Sequence, residues 1–340
     1  MGRRSYSILI LIIAVAASGL FGTGFAGTGR TVKADITRLD SRFDQLVPAD
    51  AALEIIAEGF TWVEGPVWSK QGGCLLFSDI PANVVYKWRA GEGTSVYLTA
   101  SGYSGTVAFA GKEPGSNGLT FDVNGRLVLC RHGDRQIGRL EPNGTITPLA
   151  QRYDGRRLNS PNDLVFKSDG DLYFTDPPFG LPKVFDDPDK APVQGVYRVA
   201  KDGTITPVIH DIKAPNGIAF SPDEKTLYVS DVDPTRAAWL AYDVQPDGTV
   251  TNVRVFFDAT HWRKDPFFGP DGFKVDRHGN IFGARPGGLS VIAPDSTLLG
   301  TIETGQPTSN VAWGEDGHTL FITGGGAVYR LRLSTSGVRY

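Results

Sequence analysis

Six positions along the chain repeat a side chain able to hold a hard cation: Glu64, Asn117, Asn162, Asn216, Asp271 and Asn310, at offsets of 53, 45, 54, 55 and 39 residues. Each opens a short apolar-rich run: EGPVW, NGLTF, NDLVF, NGIAF, DGFKV and NVAWG. Carboxylate and amide oxygens, with neither thiolate nor imidazole among them, suit calcium or magnesium better than zinc or copper. Glu64 and Asp271 together would balance one divalent charge, and two carboxylates meeting in a narrow space need such a counter-charge. A single Asn-Gly pair is ordinary turn chemistry. Here a separate polar turn follows most of the runs within a few residues, so six aligned instances predict a ring of oxygen ligands around one divalent cation. Calcium is the first expectation, with magnesium, manganese or zinc as alternatives.

Other chemistries lack their signatures. The one GxGxxG, at residues 22–27, has no strand before it, so it does not read as a dinucleotide fingerprint. There is no GxSxG elbow, and the five histidines show neither HExxH nor HxxxH spacing. The formal net charge of −3 becomes about −5 without Arg3 and Arg4, and no basic cluster remains, which argues against a nucleic-acid partner.

The elements that must position the six residues follow from the same repeat. Each run is succeeded by a second strand (LLFSD, LVLCR, LYFTD, LYVSD, IFGAR, LFITG) and a third (VVYKW, QIGRL, GVYRV, AWLAYDV, GLSVI, AVYRLRL). Five units then turn into a fourth strand, while the sixth has none. Self-similarity at this period is the mark of propeller blades. The sequence therefore predicts an all-β fold, a six-bladed β-propeller with four strands per blade, its last blade closed by an N-terminal strand at residues 53–59. With 42 Gly, 22 Pro and one Met, the composition suits such a turn-rich β protein. Because inner strands line a propeller's channel, the six side chains should ring one mouth. Connections between second and third strands, and between blades, return to that same end. The long loops at residues 101–116, 177–193 and 260–269 all fall there, where function tends to reside.

Three stretches are expected: an export signal at residues 1–26, an N-terminal extension at 27–50 and the propeller at 51–340. The first carries Arg3 and Arg4, an apolar run at residues 8–17 and a small-x-small pattern at 24–26. RRSYS at residues 3–7 also loosely fits a twin-arginine signal. Export to the periplasm or medium is expected, with no membrane attachment once the leader is cleaved. Cys74 and Cys130 fall at opposite ends of equivalent strands in adjacent blades, too far apart for a disulfide, and read as buried free thiols.

Over about residues 62–330 the chain resembles the senescence marker protein, gluconolactonase and luciferin-regenerating enzyme family. The motifs are EGPVW, LLFSDIPANVVYKW, EPGSNGLTFDVNGRL, SPNDLVFKSDGDLYFTDPPFG, APNGIAFSPD and PDGFKVDRHGN. The resemblance implies a six-bladed propeller with a divalent ion held by Glu64, Asn216 and Asp271, with Asn162 contacting metal, its water or substrate. It implies hydrolysis of a sugar lactone or similar small ester. Animal lactonases of the family carry an Arg two residues before the Asn162 position, where this chain has Ser160. Arg131 and His132, in CRHGDR, resemble the bacterial gluconolactonase-like branch and are candidates for that missing polar contact.

A bound cation would polarise the ester carbonyl and stabilise the oxyanion. Calcium acidifies water feebly, so a protein base is expected. Following the family, Asp271 is the first choice and His132 the second, while Asn117, Asn162 and Arg131 would position water or substrate. A phosphotriesterase-like hydrolase on the same fold, and a non-catalytic propeller binding a partner across its long-loop face, are the competing readings. The expected state is a monomer acting on a small molecule.

Overall fold

The computed structural model describes residues 29–233, 235–263 and 268–338. The expected export segment, residues 1–26, lies outside them, as does part of the 260–269 loop. The chain forms six antiparallel sheets in a ring, a six-bladed β-propeller whose helical content among the described residues is three short 3-10 turns. In blade 1 the strands run from channel to rim as Val63–Ser69, Cys74–Asp79, Val84–Arg89 and Gly93–Thr99.

Burial explains the amino-acid pattern. Second strands are covered on both faces by neighbouring blades, so Cys74–Asp79, Leu127–Arg131 and Thr319–Gly324 are buried throughout. They read as near-continuous apolar runs for that reason. Outer strands such as Gly93–Thr99 face water and carry polar residues. Between blades the core is aromatic: Phe77 and Trp88 of blade 1 pack with Phe321 and Val328 of blade 6, and Tyr173 of blade 3 packs with Phe220 and Tyr242 of blade 4. Each such side chain removed from water contributes about 1.5–3 kcal/mol.

The ring closes as the sequence predicts. Leu53–Glu58 pairs antiparallel with Ala327–Arg332 and supplies the fourth strand of blade 6. The described part of the expected N-terminal extension also joins the propeller: Arg30–Val32 adds a fifth strand to blade 6, and Ile36–Arg38 adds a fifth to blade 5. A 3-10 turn, Ser41–Gln45, then drops Phe43 into the apolar cluster of blades 5 and 6 with no exposed surface. Arg38 holds the turn by donating to the carbonyls of Val47 and Pro48.

One position in the repeat shifts. The inner strands of blades 1, 2, 4 and 6 carry a β-bulge at the mouth, so two of their residues oppose one residue of the second strand. Ser116, Pro215 and Thr308 pair with the fifth residue of their second strands, Arg131, Asp231 and Gly324. The residue after each is the mouth residue: Asn117, Asn216 and, in blade 6, Ser309. Asn310 therefore sits one step further along, level with Asp163 in blade 3. The sequence alignment placed Asn310 at the mouth because Asn-Val looks like the other Asn-Gly pairs, and the bulge is a matter of hydrogen bonding.

Each blade holds the next at this level. Ser78 Oγ donates to the Asn117 carbonyl (2.9 Å), Gly118 N to that of Asn162 (2.8 Å), and Thr175 Oγ1 to that of Asn216 (2.7 Å). Ser230 Oγ donates to the Asp271 carbonyl (2.9 Å), Gly272 N to that of Ser309 (2.8 Å), and Ser309 Oγ to that of Val63 (2.7 Å). Gly65 shows how tight the joint is: it has φ +52°, and a Cβ there would fall 2.1 Å from the Asn117 carbonyl oxygen.

The buried N-terminal turn is thus part of the propeller's stability. Phe43→Ala should destabilise the fold by about 3–5 kcal/mol, read as a lower denaturant midpoint.

Candidate metal and active site

The mouth residues are fixed from behind as well as sideways. Where the second strand ends in Asp, its carboxylate accepts the backbone N–H groups of the loop leading to the mouth residue. Asp79 accepts from Thr61 and Trp62, Asp176 from Asn159 and Asp231 from Ala214. In blades 2 and 5 the same position is Arg131 and Arg285, and the preceding hydroxyl is replaced by Cys130 and Ala284. There the blade-to-blade hydrogen bond comes from the glycine N–H instead.

Glu64, Asn117, Asn162 and Asn216 are buried and Asp271 is partly exposed, with all five carried on the same bulge level of successive inner strands. Their electrostatics are crowded. Burial pushes the Glu64 carboxyl well above the usual carboxylate range, and the charges of Asp271 and Asp163 push it further. The Asp271 carboxyl is likewise raised by burial, then by Asp163 and Glu113, against the lowering effect of the Gly272 N–H and the Asn216 amide. Asp163, one step deeper than Asn162, adds a third carboxylate. It accepts from Leu164 N (2.8 Å) and from the Asn310 amide (3.4 Å), and Lys274 Nζ stands 3.6 Å away. The Asn310 amide also slightly offsets the rise of the Glu64 carboxyl, so it acts on two of the acids. The Oδ1 of Asn117 is buried without any hydrogen-bond partner.

These residues fit a hard cation. Largely buried carboxylates repel one another, one amide oxygen is left without a donor, and the side chains offer oxygen ligands. Among the described residues no group of three or more His, Cys, Asp or Glu side chains is arranged to hold a metal, so amide oxygens would have to complete the set.

Two further sequence candidates are placed otherwise. Arg131 is buried with its guanidinium committed to structure: it donates to the carbonyls of Ser101 (2.8 Å) and Ala100 (3.0 Å) and pairs with Asp134 (2.7 Å). His132 has no exposed surface, its Nδ1 lies 3.3 Å from Glu113 Oε2, and neither ring nitrogen has an aligned hydrogen-bond partner. Gly180 lies against this ring, where a Cβ would come within 2.5 Å of it. Ser160 explains that contact. Its hydroxyl donates to the Pro177 carbonyl (2.6 Å) and accepts from Gly180 N (2.9 Å), pinning the 177–180 loop over His132. A longer side chain at 160 would displace that loop. Cys130 and Cys74 are both free and buried.

The model of the SMP-30/gluconolactonase/LRE-like region matches residues 62–326, which span all six inner strands and the whole mouth. The chain belongs to that family. Among similar proteins, a gluconolactonase of Zymomonas mobilis is 37% identical, with 99% of each chain covered. A solved gluconolactonase structure from Xanthomonas campestris has a TM-score of 0.78 at 34% identity, covering 91% of this chain and 98% of that one. A calcium-binding regucalcin from Agrobacterium tumefaciens shares the fold, with a TM-score of 0.67 at 20% identity over 84% of this chain and 97% of that one.

For this family member, sequence reasoning missed Asp163, Lys274 and Glu113. Asp163 takes the place of the usual Gly in the repeat, and that departure is the one signal that could have flagged it. Lys274 and Glu113 belong to no repeated position.

Asp176 supplies a test of the scaffold. Burial pushes its carboxyl up to about 7, and Oδ1 has no partner. The folded state thus holds a proton that the unfolded chain releases near the ordinary value of about 3.9, so stability falls as pH rises from about 4 to 7 and then levels. Asp176→Asn should remove up to about 4 kcal/mol of that loss. Its stability relative to the wild type should rise in melts from about pH 4 to 7 and level off above that, and a difference that stays flat would contradict the assignment.

Proposed function

We propose that the chain is a metal-dependent hydrolase of a sugar lactone, with water attacking a carbonyl at the propeller mouth. The observation that carries this reading is the convergence of Glu64 and Asp271, both with raised proton affinity, beside the unpartnered Asn117 oxygen, in a chain similar along its full length to a gluconolactonase. Glu64, Asn216 and Asp271 would hold a divalent cation, calcium first by donor chemistry, with Asn162 beside them. When bound, that ion supplies a positive charge at the ester carbonyl, where negative charge develops in the transition state.

The chain's own groups do the rest. Asp271 is the base: burial and neighbouring charge make its carboxylate a stronger proton acceptor than an ordinary one. Asn117 and Asn162, rigidly set by the carbonyl joints between blades, orient water and substrate. Their amides stay neutral at every working pH. Lys274 pairs with Asp163, and the Asn310 amide donates to the same carboxylate. Export of the mature chain, following the leader at residues 1–26, belongs to the same proposal.

Hydrolysis of glucono-1,5-lactone, followed by acid release in weak buffer, should be lost with a chelator and restored by added calcium. Asp271→Asn should lower kcat by at least about 100-fold. Turnover of an activated organophosphate in place of the lactone would replace this reading with the phosphotriesterase one, and inertness to both with the cation retained would indicate a binding module. Cation uptake has its own readout. Because Glu64 and Asp271 hold protons more tightly than usual, calcium binding near pH 6 should release protons, seen as a buffer-dependent enthalpy in calorimetry, and Glu64→Gln should reduce that release.

A further inference from the structure

We propose that Trp62 and Phe268 form an aromatic wall at the mouth, against which the ring of a cyclic substrate lies. The inference rests on the lactonase reading and deepens it by naming the groups that hold the apolar face of the lactone.

Trp62 differs from the other five tryptophans of the chain. Trp68, Trp88, Trp239, Trp262 and Trp313 all pack in or against the propeller's apolar clusters, whereas Trp62 belongs to none of them and keeps part of its surface in water. Phe268 is outside them too, and 40% of it is exposed. The two rings meet edge to face, with centroids 6.0 Å apart and planes at 68°. Large aromatic side chains left out of the core and gathered at the surface point to a ligand, since small-molecule sites pair such groups with a few polar ones.

The chain sets this pair beside the two acids. Trp62 comes two residues before Glu64, and Phe268 three before Asp271, so no more than about 11 Å of backbone separates either aromatic residue from its acid. Trp62 is also held in place: its N–H donates to Asp79 Oδ1 (3.2 Å) and its carbonyl accepts from Ile80 N (3.1 Å).

Blade 6 lies between blades 5 and 1 and is joined to both through Ser309, whose carbonyl accepts from Gly272 N and whose hydroxyl donates to the Val63 carbonyl. A contact between Trp62 and Phe268 therefore crosses the blade 6 sector of the mouth. Residues 305–307, which lead into that blade, stay exposed, so the rings lie inward of them, on the channel side. Ser309 leaves room there, because it is short and its hydroxyl is committed to the carbonyls of Val63 (2.7 Å) and Thr323 (3.1 Å). Five blades thus present carboxylate or amide side chains, and aromatic rings flank the sixth. A six-membered sugar lactone matches this division, with C–H groups on its ring face and oxygens round its edge. Covering that face removes apolar surface from water while the edge stays free for the amides.

The test uses the full-length protein with calcium and glucono-1,5-lactone. Trp62→Ala should raise KM roughly 10-fold and Phe268→Ala roughly 3-fold, each with less than about a 3-fold change in kcat, and Trp62→Phe should recover most of the loss. Calcium affinity, measured by calorimetry, should stay within about 3-fold of the wild type in every variant. Unchanged KM in both alanine variants overturns the proposal while an active wild type leaves the lactonase reading standing. A joint fall of kcat and calcium affinity in Trp62→Ala also overturns it, since Trp62 would then act only by holding Glu64 in place. A thermal melt shows whether each variant folds, and if Trp62→Ala does not, Trp62→Leu and Phe268→Ala decide. A wild type inert to the lactone removes the lactonase reading, and the proposal falls with it.

Discussion

The whole mouth depends on one joint repeated six times, in which a hydrogen-bond donor of one blade reaches a carbonyl at the bulge of the next. In five cases the accepting carbonyl belongs to the mouth residue itself: Asn117, Asn162, Asn216, Asp271 and Ser309. The bond that locks one blade to another therefore also sets where a ligand side chain starts. Backbone so constrained loses little further freedom on binding, which is the physical meaning of a preorganised site.

That rigidity has an electrostatic cost. Glu64, Asp271 and Asp163 influence one another electrostatically, and burial together with that crowding makes the Glu64 and Asp271 carboxyls hold their protons more tightly. Lys274 and the Asn310 amide relieve only part of the repulsion. Under the proposed function, such repulsion would favour capture of a hard cation, since binding would replace mutual repulsion with attraction.

The second strands show how the same fold serves two purposes. Blades 1, 3 and 4 end in a hydroxyl followed by Asp, and both residues support the mouth loops. Blades 2 and 5 carry Cys130 with Arg131 and Ala284 with Arg285. Arg131 ties the 100–101 loop to blade 2 and Arg285 pairs with Glu303. The long loops over blade 2 bring Glu113 and Gly180 to the His132 imidazole.

By itself the sequence determined the period, the strand order, the closing strand at Leu53–Glu58 and five of the mouth residues, because each of these is either repeated or local. Glu64, Asn117, Asn162, Asn216 and Asp271 could be found by setting the motifs one above another. Ser309 could not, since a bulge is defined by which N–H meets which carbonyl and leaves no mark in residue type. Nor could Asp163, Lys274 and Glu113, which stand outside the repeat and gain significance only from neighbours far away along the chain. Tertiary structure alone decided that carboxylates from blades 1, 3 and 5, Glu64, Asp163 and Asp271, act on one another. Proximity and desolvation, the two conditions that change what a carboxyl group does, arise only when the ring closes.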